Sequence, residues 1–265
     1  GRIVNLSSFY MCDHEVTQEE YKSVMGSNPS SFRTNGETQE NRPVERVSWF
    51  DAIYFCNIKS IEEGLTPCYS VNGKTSPNDW NYIPHNGNSL KWDDKIICDF
   101  NANGFRLPTI TEWEYAARGG IETYGTKAFE NYFVGISTIN YTDSINEDLD
   151  YVGWYKNNSS NKTHEVKKKA PNELGLYDMS GNVWEWCWDW GSVNIESGIA
   201  CDPYGMLTGY GRAIRGGSYS SNAFDCAITY QNHWIKPEER TYGNSTNGES
   251  PIGFRLVCSD TSSNK

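Results

Sequence analysis

The sequence predicts one α+β domain with little regular secondary structure, made of short strands and about three helices. Three observations carry that expectation. Helix start signals occur at three places, each opened by a Thr or Ser. The β-prone runs between them are short and separated by turns rich in Gly and Asn. Hydrophobic residues make up only 37% of the chain, yet aromatics reach 14%, with 10 Trp and 17 Tyr. Each buried aromatic removes a large area from water, so relatively few of them close a core. No Gly/Ser-rich or Pro-rich linker interrupts residues 1–265, which reads as a single domain.

The opening residues run directly into strand-like sequence that includes Phe9-Tyr10-Met11. A first helix follows, with Thr17 as cap and Glu20 three residues later completing a capping box. Pro43 to Ser48 reads as a short strand, and Ser48 caps a second helix from Trp49 to about Ile61. Trp49, Ala52, Ile53 and Cys56 fall at helical spacing and define one buried face, on which Cys56 is expected to be an inert thiol. Between Gly64 and Asn103 the text is turns and short strands, with Val71-Asn72-Gly73-Lys74 as a hairpin signal. A third helix is expected to start at Thr111, with Glu114 three on, and to stop at Gly119-Gly120. Loops and short strands fill 121–213, and Phe254 to Cys258 alternates as a tail strand.

Charge and motifs exclude several classes of function. A net charge of -11 lacks the basic footprint that a phosphate backbone requires, so no nucleic-acid partner is expected. Lys167-Lys168-Lys169 reads as a solvated loop, with an anion contact as the alternative. No apolar run approaches a membrane span. The eight cysteines include no CxxC pair, which argues against a zinc knuckle. Cys68 and Cys98 flank one insertion-like segment and are the pair expected to bond in an oxidising compartment. His14-Glu15 lacks the second histidine of a metalloprotease helix, and no nucleophile elbow, P-loop or dinucleotide fingerprint is present. Trp184, Trp186, Trp188 and Trp190 alternate onto one strand face, read as core, with a sugar-stacking platform as the alternative.

The stretch from Ser218 to Ser250 is different in kind, because 15 of its 33 residues are Ser, Thr, Asn or Tyr. Phe224, His233 and Trp234 are interspersed. Antibody paratopes share this composition, in which rigid aromatics supply contact area and small polar groups supply adaptable hydrogen bonds. Arg215-Gly216-Gly217-Ser218 and Ile252 to Leu256 frame it, with glycines where the backbone must turn or approach closely. An ordinary polar surface loop is the bland alternative.

Two runs, Ile214-Arg215-Gly216-Gly217-Ser218 continuing to Cys226, and Gly253-Phe254-Arg255-Leu256-Val257, resemble the C-terminal signature of the formylglycine-generating enzyme family. Further matching pieces are Glu15 to Gln18, Pro43 to Trp49, Arg106 to Thr109 with Glu112 to Arg118, and Gly175 to Trp186. Six such pieces in this order cover nearly the whole chain. The resemblance implies a C-type-lectin-like fold of the formylglycine-generating-enzyme subtype. In the family's oxidases two cysteines five positions apart follow Arg-Gly-Gly-Ser and perform the redox chemistry. Here Cys226 matches the second, and Ser221 stands at the first. A hydroxyl forms no disulfide and is a poor ligand for the soft Cu(I) ion that thiolates select. No catalytic residue is therefore expected, although an oxidase or accessory surface role on the same fold remains as the alternative.

The resemblance also implies a structural calcium ion held by the side chains of Asp178 and Glu185 and the carbonyls of Gly181 and Val183. The competing reading has Glu185 bonded to backbone amides and Asp178 capping a turn. Within the family, the framed polar stretch most resembles the variable proteins of diversity-generating retroelements, whose adenine-directed changes convert Asn codons to Ser, Tyr, Asp, His, Thr, Ile, Phe or Gly. That likeness implies a variable region over about 219–250. It further implies a ligand-contacting set of Tyr219, Ser220, Ser221, Asn222, Phe224, Asp225, Tyr230, Asn232, His233, Trp234 and Tyr242. The expected partner is a protein or a glycan. The expected location is the cell surface, after export and lipid anchoring by a signal outside these residues.

Overall fold

The computed structural model describes residues 3–32, 37–85, 90, 95–120, 147–191, 199–206, 208–240 and 250–261. The strands are β1 (Ile3–Asn5), β2 (Phe9–Met11), β3 (Tyr69–Val71), β4 (Ile96–Cys98), β5 (Phe105–Arg106), β6 (Trp184–Trp190), β7 (Ile199–Cys201), β8 (Arg212–Arg215), β9 (Gln231–Ile235), β10 (Ile252–Gly253) and β11 (Val257–Ser259). The helices among the described residues are α1 (Gln18–Met25), α2 (Trp49–Glu62), α3 (Ile110–Ala117) and α4 (Glu147–Val152).

The central sheet has the order β10-β6-β8-β9, with β6, β8 and β9 antiparallel and β10 joining β6 in parallel. Alternation along β8 sends Ile214 and Ala213 to opposite faces. Ile214 packs with Trp184, Trp186 and the α2 residues Trp49 and Ile53. Ala213 packs with Trp113 of α3, Cys187, Cys226 and Ile228. The sheet thus separates two apolar layers, one under α2 and one under α3. A second sheet, β2-β11-β5, joins both ends of the chain, and β1-β7 and β3-β4 are two-stranded.

The helix caps follow from residue chemistry. Thr17 and Glu20 form the expected capping box on α1, and Ser48 and Asp51 form another on α2. The third helix starts earlier than expected, because its cap is Thr109 and its box partner is Glu112. Thr-x-x-Glu occurs in both registers. Glu112 is held in the earlier one by Arg106, whose Nη1 and Nη2 donate to its two oxygens at 2.7 and 2.6 Å.

Other expectations are corrected. Pro43 to Ser48 is not a strand, since only Pro43 bridges to Thr17 and Arg46 takes φ 65. The tail divides into β10 and β11 instead of one strand over 254–258. Cys68 and Cys98 stand free. Cys98 lies opposite Tyr69, so alternation turns Cys68 to the other face, where its Sγ donates to Gly104 O at 3.2 Å. Val71 and Lys74 do close a tight turn, with Asn72 and Gly73 at φ 50 and 78. Of the β6 tryptophans, Trp184 and Trp186 are fully buried, and Trp188 and Trp190 are half-buried. The Arg212 guanidinium stacks over the Trp49 and Trp190 rings at 3.8 Å each.

Candidate functional site

Strand β8 ends at Arg215, and Gly216 and Gly217 then take φ 91 and 76. A Cβ on Gly217 would stand 2.5 Å from Cys226 Sγ and 2.8 Å from its Cα, so only glycine lets the chain pass there. Residues 218–230 form a compact connection to β9 containing a 3-10 turn from Ala223 to Cys226. Arg215 holds that connection from inside. Its Nη1 donates to Tyr230 O at 2.9 Å, and Nη2 donates to Ile228 O and Glu114 Oε2 at 2.7 Å each. The guanidinium is fully buried and lies over the Trp113 ring.

Side chains along this connection divide into inward and outward sets. Ser220, Asn222, Phe224 and Thr229 are exposed, and Asp225, Tyr230, Gln231 and Asn232 are half-buried. Phe224 and Tyr230 meet edge to face at 5.4 Å, and Tyr230 leans on Trp184 at 5.9 Å. Burial raises the Asp225 carboxyl, opposed by hydrogen bonds from the Asn222 backbone and the Tyr230 side chain. Lys156 adds to the rim, since its Nζ donates to Asn222 Oδ1 at 3.4 Å.

Two expected contact residues are corrected. Tyr219 is fully buried and packs edge-on against Phe32 at 5.1 Å. Its backbone is fixed as well: its N–H donates to Asn182 O at 2.8 Å and its carbonyl accepts from Ser159 Oγ at 2.6 Å. Ser221 is also buried, with its Oγ accepting from Ser218 N at 3.1 Å and lying 3.0 Å from Ser218 Oγ. Among the remaining expected contacts, His233 and Trp234 lie on β9, but their side chains fall outside the described set. Tyr242 lies outside the described residues. Thr229 and Lys156 belong to this surface and were not expected. Thr229 carries the same small-polar signature as its neighbours, whereas nothing local marks Lys156, which arrives from a distant segment.

Positions 221 and 226, which the resemblance matched to a redox pair, lie beside one backbone amide. The Ser218 N–H faces both Ser221 Oγ and Cys226 Sγ. Cys226 is fully buried, and burial together with the Asp225 charge pushes its thiol far above the ordinary value, only partly offset by the Ser218 N–H. The pair is thus a hydroxyl and a protonated thiol, neither of them an activated nucleophile.

Of the four residues expected to hold calcium, Glu185 is committed to partners within the protein. Glu185 Oε2 accepts from Arg255 Nε and Trp113 Nε1, and Oε1 accepts from Arg255 Nη2, all at 2.7 Å. A divalent cation beside Glu185 would face a guanidinium of like charge. Val183 donates its N–H to Glu15 Oε1 at 3.0 Å, and Gly181 N donates to Gly216 O at 2.8 Å, which leaves their carbonyls out of these two bonds. Asp178 accepts from Lys167 N at 2.9 Å through Oδ2, while Oδ1 is buried with no hydrogen-bond partner among the described residues. Burial pushes its carboxyl up to about 6, against the pull of the Lys167 N–H and Arg255. Glu15 is raised further by burial and by the charges of Asp178 and Glu185. Three carboxyl groups therefore share one guanidinium. The cluster is a buried acid network.

Comparison with known proteins places this arrangement. Residues 2–260 match the sulfatase-modifying factor enzyme 1-like domain, and the chain belongs to that family. The chain is similar to chaperone protein LppX of Paenibacillus barcinonensis, 40% identical over 71% of this chain and 65% of that protein. It is also similar to the formylglycine-generating enzyme of Thermomonospora curvata, 33% identical over 64% of this chain and 54% of that enzyme. These matches span less than two thirds of either relative's length. Among solved structures it superimposes on Treponema denticola variable protein 1 with a TM-score of 0.80 and 42% identity, covering 97% of this chain and 86% of that one. The expected fold, C-type-lectin-like and of the formylglycine-generating-enzyme subtype, is the fold observed.

Proposed function

We propose that this member of the sulfatase-modifying factor enzyme 1-like family recognises a ligand and does not transform one. The observation that supports this most is the state of the former redox pair. Ser221 is a buried hydroxyl bonded to Ser218, and Cys226 is a sealed thiol. Oxidase chemistry needs two accessible sulfurs that bind a soft metal, and here one sulfur is replaced and the other shielded. Around this inert centre, the connection from β8 to β9 presents Ser220, Asn222, Phe224 and Thr229 outward.

The likeness to Treponema denticola variable protein 1 supports reading that outward set as a diversified binding face. Phe224 and Tyr230 would be its aromatic anchors, ringed by Ser220, Asn222, Asp225, Thr229 and Asn232. His233, Trp234 and Tyr242 complete the proposed set. The partner would be a protein or glycan met outside the cell, which accords with export and lipid anchoring. Among the described residues no helix is long and apolar enough to cross a membrane.

The decisive experiment is to sequence the DNA flanking the gene. A reverse transcriptase and a second copy of the segment encoding 219–257, differing only at adenines, are expected. Absence of both would move the reading to an accessory role, which the similarity to a protein named as a chaperone favours. Oxygen uptake with copper and a cysteine-containing peptide tests the alternative chemistry. No turnover is expected, and turnover abolished by Cys226→Ala would overturn the proposal.

A further inference from the structure

Outside the β8–β9 connection, Cys12, Asp13 and His14 follow β2 and bring one thiol, one carboxylate and one imidazole within 4.8 Å of one another. Cys12 Sγ lies 3.7 Å from His14 Nδ1. The same nitrogen meets Asp13 Oδ1, and His14 Nε2 lies 3.5 Å from Glu20 Oε1. Carboxylates on both edges of the ring favour the imidazolium, and an imidazolium beside a thiol favours the thiolate. The further charges facing this group are Lys167, whose Nζ pairs with Asp13 Oδ2 at 2.6 Å, Arg255, which donates to Cys12 O at 3.2 Å, and the Asp178 carboxyl, which acts on His14.

We propose that the Cys12–His14 pair is a modification site at which Cys12 reacts with small-molecule disulfides. The Cys12 sulfur attacks one sulfur of the disulfide, and a new S–S bond forms as the old one breaks. The other half leaves as a thiolate and takes a proton from solvent. No external oxidant enters, because the disulfide bond is exchanged. Electrostatics agree with the geometry. Burial alone would push the Cys12 thiol up, yet the hydrogen bond and charge of His14, with Arg255, leave it below the ordinary thiol value. Burial likewise pulls His14 down, but its bonds to Cys12, Glu20 and Asp13 raise it to about 10. Burial raises the thiols of Cys56, Cys68, Cys98, Cys187, Cys226 and Cys258. Cys201 is exposed, and its sulfur meets only the Asn5 amide, at 3.9 Å, among the described residues.

The test treats the folded chain with 5,5′-dithiobis(2-nitrobenzoic acid) at pH 6 and pH 8 and assigns the modified cysteine by peptide mass mapping. Cys12 is expected to react about tenfold faster than Cys201 at pH 6, with a shallower rise toward pH 8. His14→Gln is expected to slow Cys12 by about tenfold at pH 6 and to leave Cys201 unchanged. Cys12 reacting no faster than Cys201 at pH 6, with the same pH profile, overturns the proposal. Should His14→Gln fail to fold, the two profiles in the unaltered protein decide the matter alone.

Discussion

Arg255 closes on Glu185 through both carboxylate oxygens, Nε on Oε2 and Nη2 on Oε1, each at 2.7 Å. Both side chains are fully buried, and the same guanidinium also holds the carbonyls of Cys12 and Tyr177. The pair therefore joins β6 to both ends of the chain.

Removing one partner leaves the other charge buried without compensation. Arg255→Met is expected to cost about 3–5 kcal/mol in denaturant unfolding. The double variant Arg255→Met/Glu185→Leu is expected to recover part of that loss, because an uncharged pair needs no partner.

The same pair decides the response to calcium. A filled structural site at a hundredfold its Kd would add about 2.7 kcal/mol and raise the Tm by degrees. With Glu185 committed to Arg255, melting in calcium chloride and in a chelator is expected to coincide. A rise in Tm with added calcium would return Glu185 to the role of metal ligand.

Outward and inward residues of the β8–β9 connection are expected to differ sharply in their cost. Ser220→Ala, Asn222→Ala and Thr229→Ala should each change stability by no more than about 0.5 kcal/mol. Tyr219→Ala, which empties a fully buried aromatic site, should cost about 3–5 kcal/mol. Ser221→Ala leaves the Ser218 N–H with one acceptor fewer and should cost about 1–2 kcal/mol. Equal costs for Asn222→Ala and Tyr219→Ala in chemical denaturation would contradict this division.

Stability should fall as pH rises from about 4 to 6. Asp178 and Asp189 are each raised to about 6, mainly by burial. Between the unfolded and folded values the native state holds protons that the unfolded chain has released, so its advantage shrinks as pH climbs. A shift of this size corresponds to about 3 kcal/mol per group. Asp178→Asn is expected to flatten part of that slope, with Asp189 and the raised Glu15 supplying the rest. Unfolding free energies measured at half-unit steps across this range would show it, and an unchanged slope would refute it.

Local chemistry made much of the fold legible. Thr17 with Glu20 and the apolar spacing from Trp49 to Cys56 are contained within single helical segments, and both proved accurate. The start of α3 was misread because two Thr-x-x-Glu registers overlap, and the choice depends on Arg106, which lies outside either box. The candidate face was legible as a region but not residue by residue. Composition marks Tyr219 and Ser221 as resembling their neighbours, yet a tight connection turns alternate side chains inward. The Arg255 partner of Glu185 was not legible, because it lies 70 residues away and no spacing rule connects them.

Arg215 pins the carbonyls of Ile228 and Tyr230 to the body of the protein before any ligand arrives. A partner docking on Phe224 and Asn222 would therefore meet backbone whose conformational freedom was surrendered during folding. Little further entropy would be lost on association. Exchanging the outer side chains would then retune complementarity while leaving the rigidity of the surface intact.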